Sequence, residues 1–182
     1  MIRGIDEELS GAKYAHIERE RRFLVDPSKL PDLAASSSIL IEDAYIDGTH
    51  MRLRRMTASN DGRVVLKLTK KYETTDPLAR PIVTTYLDAT EFALLAALPA
   101  HPVVKRRYAC GAFSVDRFEG DLAGLWLAEI EMPDDAALIA ATPPSWASRE
   151  VSDDRGFDGG SLVRLNPNDL RARLAANPPA VQ

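Results

Sequence analysis

The stretch Glu18-Arg19-Glu20-Arg21-Arg22-Phe23-Leu24-Val25 decides how this chain is read. At a period of two it puts Glu18, Glu20 and Arg22 on one face of a strand. The other face carries Ile17, the stems of Arg19 and Arg21, and Phe23. Two carboxylates side by side on one face repel each other. A divalent metal ion neutralises such a pair well. The competing reading is an exposed edge strand with scattered charges, and the rest of the chain decides between the two.

Further strands follow outward from this one. Ile39 to Ile46 reads as a strand that turns at Asp47-Gly48. The return strand puts Arg52 and Arg54 on one face and Met51 and Leu53 on the other. After Asn60-Asp61-Gly62 the alternation is clear, with Val64, Leu66 and Leu68 opposite Val65, Lys67, Thr69 and Lys71. Ile82 to Leu87 is β-branched and aromatic, hence a strand. Val103 to Ala109 carries Lys105 and Arg107 on one face; Phe113 to Phe118 carries Asp116. Leu125 to Met132 sets Glu129 and Glu131 against Trp126, Ala128 and Ile130. Helices are expected at four places. Asp26 caps a short one through about Ala34. Asp88 and Glu91 form a capping box for one ending near Leu98. Pro133-Asp134-Asp135 opens one to about Ala141, and Asn166-Pro167 starts the last, to Ala176. Residues 143–158 read mostly as loop, and the tail from Asn177 to Gln182 as frayed.

The charges are segregated by strand. Glu18/Glu20 and Glu129/Glu131 are acidic pairs; Arg52/Arg54, Lys67/Lys71 and Lys105/Arg107 are basic pairs. A solvated sandwich face mixes signs along each strand. Opposite clusters that face each other across a lumen suit a polyanion and its metal ions. The fold expected is therefore α+β: an antiparallel barrel with a wet, charged interior and helices on its apolar outside.

Composition bounds the function. The 182 residues, 45% apolar and 27% charged, suit a single domain with a real core. A net charge of −4, from 23 basic and 27 acidic residues, argues against a general nucleic-acid binder. The longest apolar run, Phe92 to Leu98, is too short to span a bilayer, and Met1 to Leu9 lacks the apolar core of a signal peptide. The lone Cys110 excludes an internal disulfide and suits a reducing compartment. The expected location is the cytoplasm. His16, His50 and His101 lie far apart and show no zinc spacing.

The opening stretch resembles the N-terminal Glu-x-Glu-x-Lys signature of the CYTH superfamily, the triphosphate tunnel metalloenzymes, with Arg22 in place of the lysine. Five further segments resemble the family's in the same order. They are Arg52-Leu53-Arg54, the Leu66 to Lys71 strand, Lys105-Arg106-Arg107-Tyr108, the strand with Asp116, and Glu129-Ile130-Glu131. Arg149-Glu150-Val151 resembles a late segment that adds an acidic ligand. The similarity covers about residues 14 to 165 of a single bacterial-type CYTH domain, with the C-terminal helix at about 167–176. Either Lys67 or Lys71 matches the family's lysine. The glutamate of an Arg-x-Glu pair is missing after Arg80.

The resemblance implies an eight-stranded tunnel and Mg²⁺ or Mn²⁺, one or two ions, held by Glu18, Glu20, Glu129 and Glu131 with Asp116 or Glu150. It implies that Arg22, Arg52, Arg54, Lys67, Lys71, Lys105 and Arg107 bind substrate, with Lys67, Arg52 and Arg54 closest to the chemistry. Arg19, Arg21, Arg55 and Arg106 fall on the opposite face. The leading activity is hydrolysis of inorganic triphosphate to pyrophosphate and phosphate. The alternatives are a class IV-like adenylyl cyclase, a thiamine or nucleoside triphosphatase, and a non-catalytic polyphosphate-binding module. The partner is a triphosphate-containing small molecule, with no nucleic acid or membrane, and the protein is a monomer or a homodimer.

Overall fold

The alternation quoted above becomes strands throughout the computed structural model, which describes residues 14–33 and 36–177. The strands are β1 (His16–Val25), β2 (Ser38–Ile46), β3 (Met51–Ala58), β4 (Val64–Lys71), β5 (Ala79–Tyr86), β6 (Ala100–Cys110), β7 (Phe113–Phe118), β8 (Trp126–Glu131) and β9 (Ala147–Glu150). The first eight close on themselves in the order β1-β5-β4-β3-β2-β6-β7-β8 and back to β1. Each neighbouring pair is antiparallel. Closure leaves no free edge in the ring, and alternate residues of every strand point inward.

Strand β1 spans two partners on one edge. Its start pairs with β5 (His16↔Ile82 to Arg19↔Ala79) and its end with β9 (Phe23↔Glu150). Along the other edge runs β8, from Glu20↔Glu131 to Leu24↔Leu127. The β2–β3 turn needs Gly48 at a φ of +68°, a left-handed conformation that a side chain disfavours.

Among the described residues there are four α-helices, α1 (Ala89–Ala96), α2 (Asp135–Ala140), α3 (Gly159–Leu162) and α4 (Pro167–Ala176), of which α3 sits at one end of the ring. The α1 capping box forms as its sequence implies: Asp88 accepts from the Thr90 and Glu91 amides, and Glu91 accepts from the Asp88 amide. Helix α1 rests on β3 and β4, and α2 on β1. Two apolar cores result. One lies on the outer face, where Phe23, Val115, Ala128 and Ile130 pack with Phe113 and Trp146. The other lies at one end of the ring, where inward-facing Leu24, Val103, Phe118 and Leu127 meet Phe157 and Leu162 of the C-terminal segment. No helix among the described residues is long and apolar enough to cross a membrane.

The structure departs from the sequence reading in the loops. The expected helix after Asp26 is only a 3-10 turn, Pro27–Lys29, with Leu30 already extended. Pro31 explains this, because a residue before proline is pushed out of the helical region. Ala34, Met1 to Leu9 and the tail beyond Asn177 lie outside the described residues. The stretch read as loop holds β9 and a 3-10 turn (Arg155–Phe157), and α3 starts directly after it. Four residues are too few to show a period, and β9 exists because β1 outruns β5 and offers it an edge.

Candidate active site

The register of β1 on β8 assembles the acidic wall. Glu20 lies opposite Glu131 and Arg22 opposite Glu129, so the two acidic pairs sit side by side on adjacent strands. Glu18, Glu20, Glu129 and Glu131 line one cavity of about 280 Å³ with Arg52, Arg54, Lys67, Lys71, Lys105 and Arg107 across from them. The segregation of charge by strand is therefore a segregation by wall.

Two buried carboxylates, with side chains 1% and 0% exposed, brace the cationic wall. Asp43 accepts from Arg54 Nε at 2.6 Å and Nη2 at 2.7 Å, and lies 3.7 Å from Arg52 Nε. Asp116 accepts from Lys105 at 2.5 Å and from both Arg107 Nε and Nη2 at 2.7 Å. Such charge-assisted, bidentate pairs fix the plane of each guanidinium. Arg107 also reaches Glu129 at 2.5 Å, and Lys71 reaches Glu18 at 2.5 Å. His16 meets Glu131 at 3.2 Å near the rim. Lys67 makes no ion pair or hydrogen bond among the described residues, and the buried Arg52 Nε has no hydrogen-bond partner.

The electrostatics follow from this layout. Burial, then Glu129 and Glu18, push the Glu20 carboxyl up to about 7, against the pull of Lys71 and Arg22. Burial would also raise Glu129, but Arg107, Lys105 and Lys71 hold it well below the usual carboxylate range. Two neighbouring carboxylates thus take opposite protonation preferences, because Glu129 accepts directly from Arg107 at 2.5 Å, whereas Glu20 has only Arg22 at 3.8 Å and feels Glu129 and Glu18 as well. Burial lowers Lys67, and Arg54, Arg52 and Arg107 lower it further. Asp43 is lowered despite its burial, by Arg52 and Arg54.

Not every residue of the implied set reaches the cavity in the expected role. Asp116, implied as a metal ligand, is occupied on both oxygens by Lys105 and Arg107. Glu150 lies on the outer side, in a bidentate pair with Arg21 at 2.8 and 2.7 Å. Arg22 faces inward but is tied to the C-terminal segment, to Asp158 at 2.6 Å and to the Phe157 carbonyl at 3.0 Å. Arg19, Arg55 and Arg106 make outer ion pairs with Asp135, Glu42 and Glu119. Sequence reasoning missed Asp43 and Asp158. Asp43 was findable: counting back from the Asp47-Gly48 turn sets it opposite Arg54. Asp158 comes from a segment with no period, and nothing local marks it.

Among the described residues, no three His, Cys, Asp or Glu side chains stand close enough together to hold a metal ion as they are. The donor chemistry nevertheless fits a hard cation. Four carboxylates line one cavity, and Glu129 and Glu18 disfavour the charge on Glu20, which a divalent ion relieves.

No family model matches the chain. Two curated relatives are each named inorganic triphosphatase. The one from Nitrosomonas europaea is 28% identical over 166 residues, covering 82% of this chain and 99% of that protein. The one from Acetivibrio thermocellus is 29% identical over 162 residues, covering 82% of this chain and 94% of that protein. Among solved structures, that of the inorganic triphosphatase NE1496 aligns with a TM-score of 0.53 at 25% identity, over 82% of this chain and 96% of its own.

Proposed function

Since the chain belongs to the CYTH, or triphosphate tunnel, family, we propose that it is a hydrolase that cleaves inorganic triphosphate to pyrophosphate and phosphate with a divalent metal ion. The observation that carries this reading is Lys67. Its ammonium stands among Arg54, Arg52 and Arg107, which add to burial in lowering its pKa against the weaker pull of Asp43, and it makes no ion pair among the described residues. A cation crowded by cations calls for an anion of several charges. A linear triphosphate has the right charge and can touch both walls.

The chain's own residues have distinct tasks. Arg52, Arg54, Lys67, Lys71, Lys105 and Arg107 bind phosphate oxygens and offset the charge that develops in in-line transfer. Asp43 and Asp116 orient the guanidiniums before substrate arrives, so that little reorganisation remains for the reaction. Glu18, Glu20, Glu129 and Glu131 would hold the metal. When bound, Mg²⁺ or Mn²⁺ supplies charge on the phosphate oxygens and a more acidic water as nucleophile. Water attacks a terminal phosphorus as the bridging P–O bond breaks, and pyrophosphate leaves with the bridging oxygen. Lys71 neutralises Glu18 and Arg107 neutralises Glu129; with those carboxylates holding a metal ion, both cations would be free for phosphate.

The test is phosphate release from triphosphate, pyrophosphate, ATP, thiamine triphosphate and long polyphosphate, with Mg²⁺ and then Mn²⁺. Rapid release from triphosphate and slow release from pyrophosphate is the expected result, because the shorter anion cannot engage both walls. Rapid pyrophosphate cleavage, or cyclic AMP as the main product from ATP, overturns the reading.

A further inference from the structure

The tunnel is blocked at one end by the chain itself. Phe157 and Leu162 plug it against Leu24, Val103, Phe118 and Leu127. The plug is seated closely: a Cβ on Gly159 would collide with the Tyr45 hydroxyl, and Arg155 donates to the Thr74 carbonyl at 3.0 Å. At the inner surface of this plug stands Asp158. Its carboxylate pairs with Arg22 of β1 at 2.6 Å and with Arg80 of β5 at 3.2 Å. The cavity that Asp158 lines, about 240 Å³, shares Glu20, Arg52, Lys71, Lys105 and Glu129 with the charged one. The two are successive parts of one passage. Arg22 and Arg80 therefore continue the row of cations, and one carboxylate from the plug neutralises both.

We propose that Asp158 sets the length of the phosphate chain this tunnel accepts, its carboxylate standing where a fourth phosphoryl group would reach Arg22 and Arg80. The inference rests on the triphosphatase reading and adds a specificity residue to it. A triphosphate fills the cations of β3, β4 and β6 and stops short of the plug. A longer chain pushes a phosphate against a carboxylate that already holds the two remaining cations. Discrimination then comes from a built-in repulsion rather than from a better fit to the favoured substrate. The departure of the opening signature, Arg22 for lysine, belongs to the same device. A guanidinium can serve Asp158 and the Phe157 and Ser152 carbonyls at once, at 2.6, 3.0 and 3.3 Å.

The experiment compares kcat/KM for linear tripolyphosphate and linear tetraphosphate in the parent, Asp158→Asn and Asp158→Glu, with melting curves for each. The parent should favour triphosphate. Asp158→Asn should raise the tetraphosphate-to-triphosphate ratio roughly tenfold, the equivalent of one charge-assisted hydrogen bond gained. Asp158→Glu should keep the parent's preference. If Asp158 merely pins the plug, the Asn variant melts lower and the ratio does not move, which overturns the proposal. A parent that cleaves tetraphosphate as fast as triphosphate overturns it too. Should the Asn variant fail to fold, Arg80→Gln decides. It leaves the carboxylate less neutralised, so the ratio must fall below the parent's, and an unchanged ratio counts against the proposal. A parent inactive on triphosphate rejects the functional reading itself, which is a different failure from an active parent with an unmoved ratio.

Discussion

Glu20 and Leu24 lie on the same inward face of β1, and so do Glu129 and Leu127 on β8, yet they belong to different halves of the tunnel. Leu24 and Leu127 are buried in the plug with Phe157 and Leu162. Glu20 and Glu129 line the charged cavity. Lys105 marks the border: its ammonium pairs with Asp116 and lies 5.3 Å from the centre of the Phe118 ring. The plugged half is held by apolar burial, which tolerates any partner of the right size. The charged half is a set of like charges on each wall, held together by counter-ions across the cavity such as Lys71 with Glu18 and Arg107 with Glu129, with Lys67 left unpaired among the described residues. The first half should therefore govern stability, and the second should govern activity and the response to pH and metal.

The sharpest way to break that division is Glu129→Gln. Under the metal-dependent reading proposed above, phosphate release should fall by orders of magnitude, because Glu129 would be a ligand of the activating ion. The metal-free protein should also melt lower, since Arg107 loses one carboxylate and keeps only Asp116. Phosphate release and melting curves read both effects.

In the plugged half, Phe157→Ala should lower stability by about 3–5 kcal/mol, the range for truncating a buried aromatic. Phe157 is 1% exposed. Denaturant unfolding checks this. A loss of activity with no loss of stability would put Phe157 on the wrong side of the comparison.

The pH response should come from Glu20. Its folded pKa is raised, so the folded state binds the extra proton, and stability is greatest at low pH within the window and falls as pH rises through it. One proton taken up between 4.5 and about 7 amounts to about 3 kcal/mol. The carboxylates with lowered values, Asp43 and Glu129 among them, act in the opposite direction but at lower pH: their stabilisation is lost as pH falls below the unfolded value. Metal-free melting between pH 4.5 and 7 should therefore decline in the parent and stay level in Glu20→Gln. Added Mg²⁺ should stabilise the parent more at pH 8 than at pH 6, because the ion needs the deprotonated carboxylate.

The smallest effect expected is on binding by a single cation. Arg52→Ala should weaken triphosphate binding by about 1.5–3 kcal/mol, the value of one charge-assisted hydrogen bond. Calorimetric titration measures it. Unchanged affinity would place the phosphates elsewhere in the tunnel.

Much of this site is legible in the chain because its elements report locally. A strand's period of two assigns Glu18, Glu20, Arg52, Arg54, Lys67, Lys71, Lys105, Arg107, Glu129 and Glu131 to common faces without any partner. Segregated signs imply that those faces meet across a space. The capping box at Asp88 and the turn at Asp47-Gly48 are equally local. What only the tertiary structure decided is pairing. Asp116 and Glu129 are both acids on inward faces, but one is taken up wholly by Lys105 and Arg107 while the other stands on the acidic wall. Glu20 and Glu129 look alike in sequence and titrate in opposite directions, because an arginine two strands away from Glu129 reaches only one of them. Asp158 was invisible because the plug that carries it has no period of its own and takes its position from the ring it closes. Periodicity is a property of one strand; a counter-ion is a property of two segments brought together, and only folding specifies which two.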